Sequence, residues 1–148
     1  DRESAVKLAK NVYTFEEFLA RHIDTIDKAI FTSEERLIKL HGHCHQKSLS
    51  SLVPSKKLLS LPSGYRVEII PSGCCGMAGS FGYEKEHYET SMQIGELVLF
   101  PTIRKQPSEV IIAAAGTSCR HQIKDGVHRK ALHPAQILYS AILDEYKL

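Results

Sequence analysis

The run Val110-Ile111-Ile112-Ala113-Ala114-Ala115 constrains this chain more than any other stretch. Six consecutive apolar residues show no alternation, so a strand built from them must be covered on both faces. That requires helices on either side of a sheet. The sequence predicts strands within Glu109–Ala115, Arg36–His41 and Tyr65–Ile70; the last alternates as Tyr65, Val67 and Ile69 and ends at Pro71. Helical patterns lie between them. Two short helices open the chain, the second at the capping-box pair Thr14 and Glu17, with Phe15, Phe18, Leu19, His22, Ile23, Ile26 and Ile30 at helical spacing.

The segment Gln46–Leu61 reads as a helix, or a helix and loop, interrupted by Pro54 and closed by Pro62-Ser63-Gly64. The longest helix is expected over Tyr83–Phe100, carrying Tyr88, Met92 and Leu99 and, beside them, Ile94, Leu97 and Val98, with its aromatic and Met residues in the core and Gly95 marking close packing. A helix over Ser118–Lys124 should stop near Gly126, and a last one should run from Pro134 to near Tyr146. Strands alternating with helices imply an α/β fold: a mainly parallel, Rossmann-like sheet flanked by helices. At 148 residues this is one domain, with N-terminal helices over 1–34 and an α/β core over 35–148.

The four cysteines all sit outside the apolar runs. Cys44 lies in His41-Gly42-His43-Cys44-His45-Gln46-Lys47, Cys74 and Cys75 in Ser72-Gly73-Cys74-Cys75-Gly76-Met77-Ala78-Gly79, and Cys119 in Thr117-Ser118-Cys119-Arg120-His121-Gln122. Each position follows a predicted strand, and the carboxyl ends of parallel strands form the edge where ligands bind. The Cys-bearing loops should therefore meet along one rim, each at or just before a helix N-terminus that favours thiolate. Gly73, Gly76 and Gly79 would let the loop backbone approach a ligand closely. The thiols then read as a shared metal or cluster site, as free thiols, or as a strained Cys74–Cys75 pair.

His43, His45 and His121 would either bind a metal or ligand or fix the loops by hydrogen bonding. Lys47 and Arg120 would either tune the thiols and a bound anion or serve as surface charges. A net charge of +2 with no Lys/Arg block argues against nucleic-acid binding. No apolar stretch approaches the roughly 20 residues of a membrane span. The start, Asp1-Arg2-Glu3-Ser4, reads as cut from inside a longer polypeptide.

Cys44, the Gly73-Cys74-Cys75-Gly76 string and Cys119 resemble the cysteine-rich CCG domain found in heterodisulfide reductase and in the iron–sulfur components of glycolate oxidase. The fuller strings around them are similar to the C-terminal part of fused FAD-linked D-lactate and D-2-hydroxyglutarate dehydrogenases. The resemblance implies an electron-transfer domain of a 2-hydroxyacid dehydrogenase. A four-iron iron–sulfur cluster or zinc would sit on Cys44, Cys74, Cys75 and Cys119, with FAD on another domain. It also implies flavin-binding and ferredoxin-type partner domains and a cytoplasmic location, peripheral to a membrane through the electron acceptor. A structural zinc or thiol-redox module docking to the flavin domain is the alternative. Taken alone, the domain is expected to be inactive. One departure matters: the family's second cysteine after Cys119 is replaced here by Gln122.

Overall fold

The computed structural model describes residues 1–147. Among these, four strands, β1 (Arg36–His41), β2 (Tyr65–Ile69), β3 (Ile111–Ala114) and β4 (Ala131–Leu132), form one sheet in the order β2-β1-β3-β4. Every pairing is parallel. At the centre Ile38 is in register with Val67 on one side and Ile111 on the other. The short β4 escapes a reading of the sequence, because two residues carry no period.

Eight α-helices among the described residues connect and cover the strands: α1 (Arg2–Ala9), α2 (Phe15–Arg21), α3 (Cys44–Leu49), α4 (Val53–Leu59), α5 (Tyr88–Leu97), α6 (Leu99–Arg104), α7 (Thr117–Val127) and α8 (Pro134–Ala141). None of them is long and apolar enough to cross a membrane.

The apolar run around β3 is covered on both faces, as its composition requires. Ile112 and Ala114 join one core with Leu99, Phe100, Ile103 and Ile123 from α6 and α7. Ala113 joins the other with Leu58, Leu59, Ile137 and Leu138 from α4 and α8. In β1 the alternation sends Ile38 and Leu40 into the second core and Leu37 against the first. Strand parity therefore assigns His41 to the same side as Leu37.

Local chemistry sets the helix ends. Thr14 and Glu17 close a capping box on α2, and His133 with Gln136 closes another on α8. Pro54 starts α4 rather than interrupting a longer helix. The helical spacing after Arg21 gives 3₁₀ turns at Ile23–Thr25 and Lys28–Ile30 instead of more α-helix. The predicted Tyr83–Phe100 helix is also corrected. Its first residues form 3₁₀ turns, and Val98, at φ −145°, separates α5 from α6. Tyr88 and Leu97 are consequently exposed, whereas Leu99 is buried. The last helix ends at Ala141, short of Tyr146.

Helix α7 ends at Val127, one residue past Gly126 and close to the predicted stop. Gly126 has a second role, because Phe100 is a fully buried ring held between two glycines. A Cβ on Gly95 would fall 2.5 Å from that ring, and one on Gly126 would fall 2.2 Å from it. Gly126→Ala should therefore destabilise the fold. The overpacking cost of about 1–3 kcal/mol exceeds the roughly 1 kcal/mol gained in helix propensity. Phe100→Ala should cost about 3–5 kcal/mol. Both are read from the midpoint of denaturant unfolding.

Candidate metal centre

The carboxyl end of the sheet gathers residues from three segments. A ring nitrogen of His41 and the sulfurs of Cys75 and Cys119 all lie within 4.8 Å of one another, and all three residues are buried. His41 ends β1, Cys75 follows β2, and Cys119 sits in the first turn of α7 after β3. Strand order reverses between β1 and β3, and such a switch point is where open α/β sheets bind ligands.

The orientation of His41 follows from its partners. Nδ1 and Ser72 Oγ are 2.8 Å apart. The other ring nitrogen, Nε2, is buried with no hydrogen-bond partner among the described residues. Ser72 thus fixes the ring through Nδ1 and leaves Nε2 as the ring nitrogen open to a ligand. This matches how metal-binding histidines are held, with the second ring nitrogen fixed by an outer partner.

The two buried thiols are electrostatically unequal. A hydrogen bond from Cys119 is the main cause that pulls the Cys75 pKa down to about 4. Burial opposes this, and His41 and the Met77 N–H assist it. Cys119 is pushed up, first by donating to Cys75, then by burial, and then by the charge of Cys75, Cys44 and Cys74. The pair thus holds one proton, on Cys119.

The predicted site residues divide. Cys75 and Cys119 come together. Cys44 and Cys74, both half-buried, lie near enough for their charge to act on Cys119 but outside the tight group. Cys44 is the first residue of α3, and Cys119 is in the first turn of α7. Cys74 and Cys75, contrary to expectation, do not enter an α-helix. Their loop leads into a 3₁₀ turn at Phe81–Tyr83, so no helix dipole acts there, and local N–H donors replace it. The Gly76 N–H donates to Cys74 Sγ at 3.3 Å.

Gly76 has φ +106°, and a Cβ there would meet the Ser91 carbonyl at 2.1 Å. Glycine is needed at this position for backbone conformation and for packing against α5. Gly73 and Gly79 have open space around them.

The charged residues have definite structural roles. Lys47 Nζ donates to the carbonyls of Ser72 at 2.7 Å and Gly73 at 2.6 Å, tying the Cys44 helix to the Cys74–Cys75 loop. Arg120 donates to the carbonyls of Ala114 and Ala115 and to Thr117 Oγ1, closing the end of β3. His121 Nδ1 is 2.7 Å from the Tyr83 hydroxyl, and His43 and His45 pack edge to face. None of these three histidines joins the tight group.

Gln122, at the place of the absent cysteine, is buried and donates to the Ser91 carbonyl and hydroxyl. It therefore braces the same α5 backbone against which Gly76 packs. Sequence reasoning misses His41. The available signal is its strand parity with Leu37 at the carboxyl end of β1.

In metal-free protein, the Cys75 thiolate should persist from neutral pH down to about pH 4 and be lost as pH falls through that value. Cys119→Ala removes the main stabilising donor and should move the midpoint upward. Titration of the ultraviolet thiolate band in the two proteins checks this.

Comparison with known proteins reveals relatives among dehydrogenases. The chain is 30% identical over 102 residues to one component of the anaerobic glycerol-3-phosphate dehydrogenase of Escherichia coli (strain K12), covering 69% of this chain and 25% of that protein. It is 30% identical over 133 residues to the D-2-hydroxyglutarate dehydrogenase of the same organism, covering 89% of this chain and 13% of that one. With the D-2-hydroxyglutarate dehydrogenase of Pantoea ananatis (strain AJ13355) it shares 34% over 104 residues, 70% of this chain and 10% of the relative. The chain thus spans a quarter or less of the length of these relatives. No family model matches it, and no solved structure matches it significantly.

Proposed function

From the premise that this chain is homologous to segments of these dehydrogenase proteins, we propose that it is the metal-binding, CCG-type domain of a larger FAD-linked 2-hydroxyacid dehydrogenase. The observation that carries the reading is the buried His41–Cys75–Cys119 group with its unpartnered imidazole nitrogen. A buried ring nitrogen without a hydrogen-bond partner is costly unless something binds it. The donor set, one imidazole and two thiols, suits a soft or borderline ion.

A single tetrahedral ion such as zinc fits best. Bonds of about 2.0–2.3 Å place tetrahedral donors roughly 3.3–3.8 Å apart, and the three donors here lie within 4.8 Å of one another. Cys44 or Cys74 would supply the fourth ligand. Ser72 orients His41, Lys47 holds the Cys74–Cys75 loop against α3, and Gln122 fixes its far side. Such an ion would tie together the loops after β1, β2 and β3.

A second reading rests on the proximity of the other three cysteines to Cys119. They would instead hold a four-iron cluster, which would carry electrons away from a flavin on another domain. In that case His41 stays a neighbour of the cluster rather than a ligand. Ferredoxin-type and flavin-binding domains are the partners that either reading supplies.

Anaerobic purification followed by elemental analysis tests the proposal. One zinc per chain supports the first reading, iron with acid-labile sulfide supports the second, and protein without either metal overturns both. For the zinc centre, His41→Ala, Cys75→Ser and Cys119→Ser should each abolish stoichiometric metal, and His121→Ala should retain it. Ser72→Ala should weaken metal affinity by about 10–100-fold, because it removes the partner that orients His41. Competition with a chromophoric chelator reads these affinities.

A further inference from the structure

A groove of about 1020 Å³ opens beside the metal centre, between α1, α2 and the carboxyl edge of the sheet. Its walls are largely apolar, with Leu8, Val12, Phe15, Leu49, Ala115 and Gly116 among them. Helix α1 buries none of its residues, yet Ala5, Leu8 and Ala9, at helical spacing, all line this groove. Gly116 is also the partition to the centre. A Cβ at that position would meet the His43 ring at 2.5 Å and Cys119 Sγ at 3.0 Å.

One polar feature in these walls lacks a partner. Glu16 is 3% exposed, and its Oε1 is buried with no hydrogen bond among the described residues. His133 Nε2 lies 3.9 Å away, too far for a direct hydrogen bond and at the limit of an ionic contact. His133 Nδ1 accepts from the Ala135 N–H, so in the neutral ring the proton resides on Nε2 and faces the carboxylate. The ring is also the more exposed member of the pair.

We propose that this groove binds an apolar molecule bearing a hydroxyl group, of the alkylphenol class, with the hydroxyl between Glu16 and His133. A hydroxyl is the smallest group that both donates to the carboxylate and accepts from the imidazole N–H. An ammonium only donates, and a carboxylate only accepts. An aromatic body suits the slot because Phe15 and His133 form an edge-on aromatic pair there, with ring centroids 6.2 Å apart. The volume is that of a small-molecule site. This inference does not rest on the metal reading, since neither Glu16 nor His133 belongs to the His41–Cys75–Cys119 group.

Calorimetric titration of the intact protein with 4-butylphenol and 4-butylanisole tests it without any mutation. The phenol should bind saturably, one per chain, at least about tenfold more tightly than the anisole, which lacks the donor. Glu16→Leu should remove that preference while leaving weak apolar binding to both. The preference should persist in Cys75→Ser protein stripped of metal, which separates this result from the fate of the metal centre. Equal binding of the two probes, no saturable binding of the phenol, or tighter binding of 4-butylbenzylammonium than of 4-butylphenol would overturn the proposal. So would a preference that survives Glu16→Leu.

Discussion

The pairing of β1 with β3 underlies the rest of this structure. Leu40 opposite Ala113 and His41 opposite Ala114 join the two central strands where the sheet order reverses. Because successive side chains alternate across a strand, one register fixes both cores at once. The same register brings the end of β1 beside the loop that starts α7. His41 and Cys119 are neighbours because of that pairing, and β2, on the other side of β1, delivers Cys75 to them.

Burial then decides the chemistry. Two thiols and an imidazole in water would titrate independently. Here, with little solvent to share their charge, Cys75 takes the negative charge and Cys119 keeps the proton. The surrounding hydrogen bonds limit how the group can rearrange. Ser72 holds the imidazole, Lys47 holds the loop carbonyls, and Gln122 with Gly76 closes the gap to α5. Most of these contacts link segments far apart in the chain, so the centre and the fold depend on each other.

Much of this arrangement is legible in the sequence. The both-faces-buried strand, the capping box at Thr14, helix entry at Pro134 and the close packing at Gly95 each follow from a local rule that the tertiary structure obeys. The errors have physical causes as well. Tyr88 belongs in the core only if one continuous helix from Tyr83 is assumed; instead α5 begins at Tyr88 after two 3₁₀ turns and breaks at Val98. Gly126 marks the end of α7 as its local signal suggests, but its role as a seat for Phe100, a residue 26 positions earlier, is not legible locally.

The sequence by itself determined the fold class and the positions of the cysteine-bearing loops, because apolar periodicity and turn residues act over a few neighbours. It also marked Gln122 as the departure from the resembling pattern. Only the tertiary structure decided which side chains meet. Choosing His41 over His43, His45 and His121, and turning Lys47 and Arg120 into backbone clamps, depends on strand register and on contacts across tens of residues. Spacing along the chain carries no record of those distances.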